Sequence, residues 1–209
     1  MDLNQRIIQQ LQPNLKRLPA EIPNFGRDEL AKFFAEVGLN YGAEIGVESG
    51  AYSEILCKFN PNLHLLCVDA WQPYKGYMDY AYQQTLSTSY ETAKKVLSPY
   101  NNVTFIRKFS MDAVKDVEDN SLDFVYIDGN HTLQYVINDI CEWSKKVKPG
   151  GIISGHDYHH YLKHRQIHVI EAVNAYTQAY HINPWFVTGS KEKIEGQTRD
   201  RVRSWLWVK

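Results

Sequence analysis

The sequence predicts an α/β fold, a mostly parallel, doubly wound sheet with helices on both faces. Three observations lead there. Segments of strand length alternate with segments of helical period from residue 43 almost to residue 208. The stretch 63–68 is a near-continuous apolar run, the pattern of a strand buried on both faces. The first strand and helix are joined by a turn carrying two glycines, Gly46 and Gly50.

The elements follow in order. Residues 1–42 read as a helical lead-in and 43–209 as the main domain. In the lead-in, residues 3–11 form a short amphipathic stretch, and Pro13, Pro19 and Pro23 then interrupt any helix. A second helix begins at Asp28, with Leu30, Phe33, Phe34 and Val37 on one face and Gly38 as its stop. Strands are expected at 43–47, 63–68, 103–106, 122–127 and 152–154, with closing strands at 185–188 and 204–208. Helices are expected at 53–59, up to about Leu97, at 113–117, at 133–147 and at 169–180. The string Lys148-Pro149-Gly150-Gly151 ends the helix before the fifth strand.

The chain has 209 residues, 44% hydrophobic and 22% charged, enough for one domain with a sizeable core. Its formal net charge of -1 provides no global basic field to attract nucleic acid. No basic-then-apolar leader and no apolar run of spanning length occurs, so neither secretion nor membrane insertion is expected. Cys57, Cys67 and Cys141 are scattered and lack any motif, which reads as reduced packing residues in a cytoplasmic protein. The 14 Tyr and 5 Trp are a surplus of the amphipathic aromatics that line binding clefts.

The sharpest motif is Ala43-Glu44-Ile45-Gly46-Val47-Glu48-Ser49-Gly50-Ala51-Tyr52-Ser53. Gly46 and Gly50 let the backbone approach a ligand closely, and the next helix points its N-terminus at the same place. Asp69 ends the following strand, where a carboxylate can hold the hydroxyls of a ribose. A nicotinamide fingerprint needs G-x-G-x-x-G, but here three residues separate the glycines and Glu48 stands where a pyrophosphate would be repelled. A sulfonium cofactor with an amino-acid tail carries no phosphate and tolerates these acids.

A second constellation is Asp123-Phe124-Val125-Tyr126-Ile127-Asp128-Gly129-Asn130-His131, followed after one helix by Pro149-Gly150-Gly151-Ile152-Ile153-Ser154-Gly155-His156-Asp157-Tyr158. Asp128 and Asp157 end two strands separated by one crossover, so the strand ends lie about 5 Å apart if the strands are neighbours. Two carboxylates at one sheet edge are the start of a divalent-metal site.

Together these strings resemble the class I S-adenosylmethionine-dependent methyltransferases, and within them the cation-dependent, macrolide-type sugar O-methyltransferases. The resemblance covers residues 43 to 180. It implies a Rossmann-like, seven-stranded sheet of order 3-2-1-4-5-7-6 with the last strand antiparallel. It implies S-adenosyl-L-methionine as cofactor, with Glu44, Gly46 and Gly50 around its methionine part and Asp69 on its ribose. Ser110 and Met111 would lie near the adenine, and Ser53, Trp71 and Asp128 complete the expected cofactor set. Asp128 and Asp157 would ligate a metal, Mg or Mn, and His131 would act as general base beside Asp128. The family has two adjacent metal-binding residues, acid-acid or Asp-Asn, where this chain has His156-Asp157. His156 is then either a nitrogen ligand, shifting preference from Mg toward Mn, Fe or Zn, or a residue that supports the ligands from outside.

The expected reaction is O-methylation of a small hydroxylated substrate, and the chain could form a homo-oligomer. Two rival classes stand beside it. A non-catalytic cofactor-binding scaffold would keep Gly46, Gly50 and Asp69 yet tolerate loss of Asp128 and His131. A nicotinamide oxidoreductase is disfavoured by the glycine spacing. Two further features have functional and plain readings. Trp71, Tyr74, Tyr77, Tyr80, Tyr82 and Tyr90 form either a lid over the cofactor mouth or ordinary packing. His156, His160, His164 and His168 recur every four residues, either as a metal-binding helix face or, more simply, within a solvated loop.

Overall fold

A computed structural model describes residues 2–74, 83–161 and 166–209. The chain order is α1 (Leu3–Leu11), β1 (Ala20–Ile22), α2 (Arg27–Glu36), β2 (Tyr41–Ile45), α3 (Ala51–Phe59), β3 (His64–Val68), α4 (Gln83–Leu97), β4 (Val103–Ile106) and α5 (Ser110–Ala113). It continues with β5 (Leu122–Ile127), α6 (Leu133–Lys146), β6 (Val147–Gly155), α7 (Val169–Ala179), β7 (Phe186–Thr188) and β8 (Trp205–Val208).

These strands make one sheet of order β1-β7-β8-β6-β5-β2-β3-β4. From β2 onward, the seven strands stand in the expected order, with β8 antiparallel to both β6 and β7. The correction is an eighth strand, β1, which pairs in parallel with β7 through Ala20↔Phe186 and Ile22↔Thr188. It arises from the proline-interrupted segment read as helical lead-in. Its short Ala-Glu-Ile run lies between Pro19 and Pro23 and is too brief to display a period. Prolines flanking an edge strand cost no interior ladder bonds.

The central strands alternate faithfully between two cores. Leu65, Cys67, Phe124, Tyr126 and Ile152 face one core, which includes Leu30, Phe33 and Phe34 of α2, Leu56 of α3 and Ala93 of α4. Leu66, Val68, Val125, Ile127 and Ile153 face the other, which includes Val136, Ile140 and Trp143 of α6 and Val173 of α7. A period of two buried on both faces gives the continuous apolar pattern of such strands. The β2 strand pairs with β3 on one side and β5 on the other, so the winding reverses between β2 and β5. The strand ends splay a crevice at that reversal, and it is there that the motif residues gather.

Candidate functional site

The crevice is built by close backbone approach. Gly46, which follows β2, has φ +91°, and a Cβ there would lie 2.1 Å from the Asp128 carbonyl oxygen beyond β5. Only glycine fits, and the strand ends are locked by Asp128 N–H donating to Ile45 O at 2.7 Å. Glu48 also adopts a left-handed conformation, φ 50°. Gly50, φ +83°, caps α3, and a Cβ there would meet Ala93 and Leu97 of α4 at 3.3 Å.

Asp69 organises this loop. Its Oδ2 accepts from Val47 N and Glu48 N at 3.0 Å each, and its Oδ1 accepts from Trp71 N at 2.7 Å. Burial pushes its carboxyl up, opposed by those three amide bonds. Trp71 donates its Nε1–H to Glu48 O at 2.7 Å and packs against Tyr90 and Phe105. Around them lies a pocket of about 470 Å³ lined by Ile45, Gly46, Glu48, Asp69, Trp71, Tyr74, Ser110, Asp128 and others. Tyr74 sits edge-on to Phe109 and Tyr135. Tyr77, Tyr80 and Tyr82 lie outside the described residues, as does His164. No helix forms over 156–161, so among the described residues the histidine stripe is absent.

Ser53 and Met111, both expected near the cofactor, are not among the residues lining this pocket. Ser53 is fully buried and donates its hydroxyl to Glu44 Oε2. Burial pushes the Glu44 carboxyl up to about 8, against the lowering effect of that hydrogen bond. Met111 packs against the core beside α6 and does not line the pocket. Its neighbour Ser110 does line it, accepting from Trp143 Nε1 at 2.8 Å and donating to Asp139 Oδ1 at 2.5 Å. Burial pushes Asp139 up to about 7.

A second pocket, about 710 Å³, lies on the other side of the glycine loop and shares Gly46, Glu48 and Asp128 with the first. Here Asp128, His131 and Asp157 present one ligand atom each, all within 4.8 Å of one another. His131 Nε2 lies 3.1 Å from Asp157 Oδ2 and 3.4 Å from Asp128 Oδ1. The turn carrying His131 is fixed by Asn130 Oδ1, which accepts from both N and Oγ1 of Thr132 at the start of α6. His156, also expected as a ligand, faces the same two carboxylates, with its Nδ1 3.7 Å from Asp128 Oδ2. Its Nδ1 is 3.3 Å from Asp157 Oδ2, while its buried Nε2 has no partner among the described residues. Burial alone would raise the Asp157 carboxyl, but the hydrogen bond from His156, the nearby His131 and the Tyr161 hydroxyl hold it well below the usual carboxylate range.

One residue escaped the sequence reading. Arg27 begins α2, yet its guanidinium lies 3.7 Å from Asp128 Oδ2 and 5.0 Å from the centre of the Tyr52 ring. It lines the second pocket. Its segment was read as a lead-in, and nothing local in the sequence pairs it with Asp128.

A sequence profile described as "Methyltransferase domain" matches residues 43–158, more than half of the chain. The chain belongs to this methyltransferase-domain family. The matched stretch runs from β2 to just beyond Asp157 and so includes both carboxylate strings. An uncharacterized protein of Acanthamoeba polyphaga mimivirus is 29% identical over 155 residues, 70% of this chain. This chain spans about 63% of that viral relative's length. Among solved structures, an rRNA methylase from Streptococcus thermophilus matches with TM-score 0.60 at 11% identity, covering 87% of this chain and 95% of its own. An O-methyltransferase from Bacillus cereus, solved in complex with SAH, matches with TM-score 0.56 at 15% identity, covering 88% and 80%. At such identities the likeness is one of fold. Among the described residues, no helix is long and apolar enough to cross a membrane.

Proposed function

We propose that this methyltransferase moves a methyl group from S-adenosylmethionine to a hydroxyl of a small substrate, with a divalent cation at Asp128, His131 and Asp157. The observation that carries this reading is the trio of ligand atoms within 4.8 Å at the rim of the pocket that Asp69 and Gly46 line. Two carboxylates and an imidazole suit a hard or borderline divalent ion such as Mg or Mn, and His156 supports the set by holding Asp157. A bound ion would lower the pKa of an acceptor hydroxyl, which is otherwise a poor nucleophile.

The chain's own residues supply the rest. Asp69 shapes the floor for the nucleoside, and Trp71 and Tyr74 wall it. Asp128 faces both pockets and so stands where the reacting groups would meet. With its Nε2 turned to the two carboxylates, His131 serves in this reading as the third ligand and not as the general base. Holding nucleophile and sulfonium in line is itself a large part of the rate. A small acceptor is favoured over nucleic acid by the net charge of -1.

The test is calorimetric titration of S-adenosylhomocysteine with and without Mg or Mn, with NAD as control. Micromolar binding of the nucleoside, none of NAD, and a metal response lost in Asp128→Asn and Asp157→Asn are expected. Failure to bind S-adenosylhomocysteine overturns the cofactor reading. Metal-independent binding and turnover overturn the cation.

A further inference from the structure

The second pocket holds one guanidinium among four carboxylic residues, Glu44, Glu48, Asp128 and Asp157, and two imidazoles. Arg27 is unusual in that company. It enters from α2, far from the motif strings, and its charge is stacked on Tyr52 and drawn to Asp128 rather than left in solvent. Its backbone is anchored too, because the preceding Gly26 N donates to Glu29 Oε2 at 3.0 Å. The fork therefore sits on a fixed element over the side of the glycine loop formed by Val47, Ser49 and Ala51.

We propose that Arg27 grips the carboxylate of the cofactor's methionine tail. The inference rests on the S-adenosylmethionine reading above. A nucleoside seated over Asp69 has its sulfur side at Gly46 and Asp128, the residues common to both pockets, so an amino-acid tail continues into the second. There the tail's carboxylate meets the Arg27 guanidinium, the one side-chain guanidinium lining that pocket among the described residues. A planar guanidinium suits a carboxylate because it can donate two parallel bonds.

The experiment compares two probes that differ only in the tail. S-adenosylhomocysteine carries the amino acid, and 5′-methylthioadenosine lacks it. Arg27→Met is expected to weaken S-adenosylhomocysteine by about tenfold to a hundredfold while changing methylthioadenosine by less than about twofold. Arg27→Lys keeps the charge but loses the fork, and an intermediate loss selective for S-adenosylhomocysteine is expected. Equal losses for both probes would mean a merely structural role and overturn the proposal. Unchanged S-adenosylhomocysteine binding alongside a raised KM for an anionic acceptor would assign the guanidinium to the acceptor and also overturn it. If the unaltered protein binds neither probe, the cofactor reading fails instead, which is a distinct result.

Discussion

Gly46 and Glu44 illustrate how single positions set the crevice. A methyl group on Gly46 would meet backbone, which cannot swing aside as a side chain can. Gly46→Ala should therefore cost at least about 3 kcal/mol, measured as a lowered urea midpoint or as loss of soluble protein. Glu44 has a titration signature. Its folded value of about 8 lies above the ordinary 4.5, so the folded state retains a proton that the unfolded state has released. The stabilising effect is full below pH 4.5 and is lost as pH rises toward 8, at up to about 1.4 kcal/mol per pH unit. Asp139, raised to about 7, adds a slope of the same sign. Glu44→Gln should flatten the fall of stability between pH 5 and 8, followed by denaturant titration at each pH. An unchanged slope would mean that Glu44 is not the group responsible. The acid inside the strand at Glu44 was legible from sequence, but its pairing with Ser53, nine residues on, was not.

Among elements, the start of β2 depends on a clamp from β5. Asp123 Oδ2 accepts from Asn40 N at 2.6 Å and Tyr41 N at 2.8 Å, and Lys148 pairs with its other oxygen. Asp123 belongs to the string that suggested a metal site, yet it lies at the opposite end of β5 from Asp128 and serves the sheet. Asp123→Ala leaves two amides without their acceptor and should cost about 2–4 kcal/mol, with no change in S-adenosylhomocysteine affinity once the protein is folded. Thermal unfolding and calorimetry read the two halves separately. The alternation of α and β was visible because central strands buried on both faces carry apolar residues throughout. By contrast, β1 was not visible, since three residues give no period and its stability comes from β7: Ala20 N donates to Trp185 O, and Gly189 N to Ile22 O.

Across the whole molecule, the N-terminal segment completes both sheet and site. The β1 strand covers the edge of β7, whose Phe186 and Val187 are fully buried. Ile7 of α1 is buried in the core that also holds Leu206 of β8. Removing residues 2–22 should expose that edge and its apolar neighbours, giving self-association detectable by light scattering and increased binding of an apolar dye. A monomeric, dye-silent product would show that the segment is dispensable to the sheet. Further along the segment, Arg27 enters the pocket from α2, so the site is assembled from opposite ends of the matched domain and beyond it.

The sequence by itself determined the sheet's winding, the glycine turn at Gly46, and the placing of Asp69, Asp128 and Asp157 at the ends of β3, β5 and β6. Those features are local: a period, a forbidden Cβ and a residue at the end of a strand are each written in a few adjacent positions. Tertiary structure alone decided that Ser53 pairs with Glu44 and Met111 packs against the core, that His131 and His156 both face the two carboxylates, and that Arg27 reaches Asp128. Such contacts join segments distant in the chain, and they depend on side-chain direction and packing, which no spacing in the sequence encodes.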